Sequence, residues 1–162
     1  MSQVEGSGSP DRRAGDEPDK ERLARNFNEL LQELRVTQTG VQILTGFLLT
    51  VPFTQRFGSL DAVQTTGYLA VLVGSVLATG FLITPVALHR ALFRRGEKEW
   101  LVNAAGRCAQ LGLMFLALTV AGVVWLVFEV AANRAVAIVA GLVALAFLTV
   151  LWGVFPYLRR LR

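Results

Sequence analysis

The sequence predicts an all-α integral membrane protein: a four-helix bundle made of two helical hairpins, with a long amphipathic N-terminal helix extension. Three observations carry that reading. Hydrophobic residues are 53% of the 162 positions and charged residues only 17%, against about one quarter charged in soluble domains. The apolar excess falls in four blocks of about twenty residues, the length that crosses a hydrocarbon core. Lysine and arginine flank those blocks unequally on their two sides. Together these features exclude a soluble enzyme, a secreted disulfide scaffold and a disordered chain.

Residues 1–18 are Gly, Ser, Pro and charge. Such a composition buries too little apolar surface to offset the entropy of ordering, so it reads as a disordered cytoplasmic tail ahead of a membrane domain at 19–162. The tail and the segment behind it, up to Arg35, lack the apolar core of a cleavable secretory signal. A helical pattern starts near Asp19: Leu23, Phe27, Leu30, Leu34 and Val41 share one face. No proline interrupts it until Pro52. A single helix over 19–53 is about 50 Å long against a core of about 30 Å. It must therefore project from the membrane or bend near Arg35 onto its surface. The expected spans are 36–53, 68–88, 108–130 and 136–157, with Pro85 kinking the inner end of the second.

Net charge is +4 and the isoelectric point is near 10.0. The basic residues cluster beside apolar blocks, which points to topology and away from nucleic acid. The N-terminal segment, the central connection and the C-terminus hold 14 of the lysines and arginines, while the two opposite loops hold only Arg56 and Arg134. Both termini are thus expected in the cytoplasm of a bacterial inner membrane. Trp125, Trp152 and Tyr157 fall near the expected interfaces, where aromatic anchors sit.

Asn28, Gln32, Arg35, Thr39, Gln42, Gly46 and Thr50 form a polar or small stripe along the first helix. Polar groups at membrane depth usually face a bundle interior or wet cavity, so the stripe has two readings: a hydrophilic path or small-ligand pocket, or interhelical packing and a partner face. No Asp, Glu, Lys or Arg sits deep in a span, and only Thr79 and Thr119 lie at a depth matching Gln42. The central loop interleaves Arg90, Arg94 and Arg95 with Leu92, Phe93 and Trp100. That suits anionic-lipid contact or plain positive-inside topology. Glu129 and Arg134 are expected to cap the second hairpin. Small residues at four-residue steps (Ala70, Gly74, Ala78; Ala117, Ala121; Ala137, Gly141) suit close helix contacts within one chain or in a homodimer. Cys108 and His89 stand alone, so neither a disulfide nor a Cys or His metal cluster is available, and no cofactor motif is present.

The run from Arg25 to Val36, with Thr39–Leu44, Phe47–Thr50, Pro52, Phe53, Gln55, Arg56 and Phe57, resembles a family of small actinobacterial four-span membrane proteins of unknown function. Pro85, His89, Arg90, Phe93, Arg94 and Arg95 resemble that family's second signature. The resemblance implies membership, topology and source, and no activity. The expected role is a non-enzymatic structural, interaction or accessory subunit. It would dock a membrane-protein partner or a second copy through the amphipathic helix over 19–35. The alternative is a small transporter or channel component using the stripe.

Overall fold

In hydrocarbon no water pairs with backbone N–H and C=O groups, so long apolar stretches satisfy them internally as helices. The computed structural model describes residues 11–92, 98–154 and 158, and the side chains of 25, 29, 31–88, 103–154 and 158. Its four α-helices are α1 (Asp11–Thr50), α2 (Ala62–Leu92), α3 (Lys98–Ala131) and α4 (Arg134–Thr149). No strand occurs among the described residues. A π-helical segment, Val150–Val154, continues α4. The stretches Leu31–Phe53, Ala62–Leu88, Asn103–Ala131 and Arg134–Val154 are each long and apolar enough to cross a membrane. The chain is a four-span membrane protein.

α1 begins at Asp11, ahead of the start expected at Asp19, and its 40 residues run without a break through Arg35. At 1.5 Å per residue it is about 60 Å long, twice the hydrocarbon thickness. Pro52 ends it by withholding an N–H, and the short 3₁₀ turns Val51–Phe53 and Phe57–Ser59 lead into α2. A reciprocal capping box starts α2. Asp61 Oδ1 accepts from the Gln64 amide at 2.8 Å, and Gln64 Oε1 accepts from the Asp61 amide at 3.1 Å. Asn133 caps α4 by accepting from the Val136 amide at 3.1 Å. Pro85 lies inside α2, fully buried.

α2 and α3 form the central pair. α1 packs chiefly on α2, and α4 on α3. Leu34 and Val41 of α1 join Ala78 and Leu82 of α2 and Ala109 and Leu116 of α3 in one core cluster. Leu48, Tyr68 and Val71 form a second, nearer the α1–α2 connection. The antiparallel α2–α3 contact is a row of glycine notches filled from the other side. Gly67 receives the Trp125 ring. Gly122 faces Val71, Gly74 faces Thr119 and Gly112 faces Leu82, with 2.5–2.8 Å between those side chains and the place a Cβ would occupy. Gly141 of α4 lies over the Trp125 stem and the Ala121 carbonyl.

These contacts refine two expectations. Ala78, Ala117, Ala121, Ala137 and Gly141 are buried as a close-packing ridge requires, but Ala70 is exposed. Trp125, expected near an interface, is wedged between glycines of α2 and α4.

Candidate functional site

The apolar row Leu34, Val41 and Leu48, at seven-residue intervals, decides how α1 is turned. All three are at most 6% exposed. At about 100° per residue, Gln42 lies a quarter-turn or more around from Val41. Arg35, Thr39, Gly46 and Thr50 fall on the same far flank. Gln32, Arg35, Thr39, Gln42, Gly46 and Thr50 are accordingly exposed, beside the equally exposed Val36, Ile43 and Phe47. The backbone of Asn28 continues the line, but its side chain lies outside the described residues.

The stripe therefore faces away from the other three helices, so its residues are not packed inside the bundle of this chain. Apolar packing against α2 took precedence over hiding the polar groups. Thr39 and Thr50 meet their own needs by donating to the Arg35 carbonyl at 3.1 Å and the Phe47 carbonyl at 2.7 Å. The Gln42 carboxamide has no hydrogen bond among the described residues. Thr79 and Thr119 do not answer it: they donate to the carbonyls of Ser75 and Phe115, at 2.9 and 2.8 Å. Buried Ser75 likewise donates to Leu72.

A second feature closes the end of the bundle where both hairpin connections lie. Arg134 donates from Nε to Glu129 Oε1 at 3.0 Å and reaches Asp61 Oδ2 from a terminal nitrogen at 3.5 Å. The expected Glu129–Arg134 cap is present, and Asp61 joins it across the α1–α2 connection. The Glu129 side chain is only 4% exposed, while Arg134 and Asp61 are more than half exposed. The sequence reading missed Asp61 because 73 residues separate it from Arg134.

An open apolar groove of about 660 Å³ runs between α2 and α3, lined by Ala70, Gly74, Leu77, Leu118 and Gly122 with Trp125 at one end. It takes no residue from α1. No group of three or more metal-ligating side chains occurs among the described residues. Cys108 is free and partly buried. Of the expected lipid contacts, Arg90 lies in α2 with its side chain outside the described residues, as do Arg94 and Arg95 entirely.

The family of unknown function DUF6328 matches residues 16–156, and the chain belongs to that family. No curated protein and no solved structure matches it.

Proposed function

We propose that this DUF6328 member is a multi-pass protein of a bacterial inner membrane, with both termini cytoplasmic. It serves there as a non-enzymatic interaction or accessory subunit. One observation carries the reading: α1 turns its polar flank, Gln32 through Thr50, away from the rest of the chain. A membrane helix with an uncovered polar flank is incomplete without a neighbour, because lipid tails supply no hydrogen-bond partner. The flank continues toward Asn28 on the part of α1 that outruns the bilayer, so the docking surface extends into the cytoplasm. The orientation rests on the 14-to-2 distribution of basic residues. Arg90, Arg94 and Arg95 on the same side suit phosphate groups of anionic lipid.

Cross-linking in native membranes from positions 28–35 tests the role. Capture of a protein, whether a different one or a second copy, is the expected result, and recovery of lipid alone refutes it. A reporter active only outside the cytoplasm, fused after Arg162, should stay silent; activity would overturn the topology.

A further inference from the structure

We infer that the neighbour covering the polar flank of α1 is a second copy of this chain, packed α1 against α1 in parallel, with Gln42 meeting Gln42 at mid-membrane. The inference rests on the partner-face reading above and names the partner.

Depth comes first. Gln42 lies near the middle of Leu31–Phe53, the first stretch long and apolar enough to cross a membrane. Its exposed carboxamide carries two N–H donors and an acceptor oxygen, and no group of the chain answers them among the described residues. The threonines beside it are already bonded to their own backbone. One unsatisfied amide therefore sits at the depth where water is scarcest.

Symmetry then selects the occupant. Copies of one chain insert with the same orientation, so a twofold axis along the membrane normal brings each residue of a shared face to its own counterpart at equal depth. A carboxamide is self-complementary: the amide N–H of one donates to the oxygen of the other, and the reverse. A second copy thus supplies the matching group automatically. An unrelated span would need a polar residue placed at that level.

The backbone permits the approach. Gly67, Gly74, Gly112, Gly122 and Gly141 are each filled by a neighbour within the chain, whereas Gly46, like Gly40 on the same helix and Gly80 and Gly106 elsewhere, has nothing within 4 Å of the place a Cβ would occupy. Gly46 lies one turn from Gln42 on the same flank. A glycine there lets a second helix come close enough for the amides to bond.

The test uses the full-length chain in phosphatidylethanolamine–phosphatidylglycerol vesicles, labelled at its C-terminus, with dimer fraction read by energy transfer as protein is diluted in lipid. The wild type should dimerise. Gln42→Leu and, separately, Gly46→Leu should weaken dimerisation by about tenfold, and Gln42→Asn should retain more of it than Gln42→Leu. The variants should still fold, with helicity close to wild type, since both positions face outward. A chain that stays monomeric at every density overturns the inference, as does a dimer that both leucine variants leave intact. If the chain is monomeric and cross-linking from 28–35 still captures a different protein, the interaction role stands and only the second copy is refuted. If cross-linking recovers lipid alone, the role fails too.

Discussion

The Tyr68 hydroxyl donates to the carbonyl of Leu48 at 2.8 Å, joining α2 to α1 across twenty residues of sequence. In a regular helix that carbonyl would accept from the N–H of residue 52, which is proline and has none. Tyr68 is 1% exposed, and Phe57 packs edge-on against it with ring centroids 5.2 Å apart. The proline that ends α1 thus opens an acceptor, and the buried tyrosine fills it.

Removing that hydroxyl should leave the Leu48 carbonyl buried and unpaired. Tyr68→Phe is expected to cost about 1–2 kcal/mol of stability, read as a lowered unfolding midpoint in detergent micelles. The cost should shrink in a Pro52→Ala background, where the restored N–H can serve the carbonyl. Equal costs in both backgrounds would disprove the compensation.

The glycine notches make a prediction that depends on position. At Gly74 a methyl group would stand 2.8 Å from the Thr119 hydroxyl oxygen, so Gly74→Ala must push α2 and α3 apart or force Thr119 from its rotamer. A loss of about 1–3 kcal/mol is expected. Gly80, on the same helix, has nothing within 4 Å. Gly80→Ala should be neutral or stabilising by up to about 1 kcal/mol, because alanine restricts the unfolded chain more. Comparing the two thermal midpoints is the measurement, and matching effects would argue against close α2–α3 contact at Gly74.

The four spans were legible because length and hydropathy alone determine them, and the two hairpins followed from short connections. The buried face of α1 was legible too: Leu34 and Val41 stand on the periodic apolar row that packs against α2. Which way the stripe turns was open to two readings. The tendency of polar groups to turn inward in membranes was set against an apolar row on the opposite side, and the row prevailed. The notch pairs depend on the antiparallel register of α2 and α3, which sequence does not state, and glycine is common in every apolar span. Pro52 was visible as a helix end. That Tyr68 supplies its missing donor required knowing that α2 lies against α1 at that level.

The two partners of Arg134 should differ sharply in what their loss costs. Glu129 is buried, with Oε1 held by Arg134 and Oε2 without a partner among the described residues. Arg134 is thus the counter-charge of a carboxylate that water barely reaches. Arg134→Gln strands that charge and should cost about 2 kcal/mol. Asp61→Asn removes only a half-exposed contact at 3.5 Å, leaves the Asp61 capping bond replaceable by an amide oxygen, and should cost less than about 1 kcal/mol. Adding Glu129→Gln to Arg134→Gln should recover most of the loss, since no buried charge then remains. Unfolding midpoints of the three variants at neutral pH decide the matter. Arg134→Gln and Asp61→Asn proving equal, or the double variant showing no recovery, would mean that the cluster merely decorates the end of the bundle.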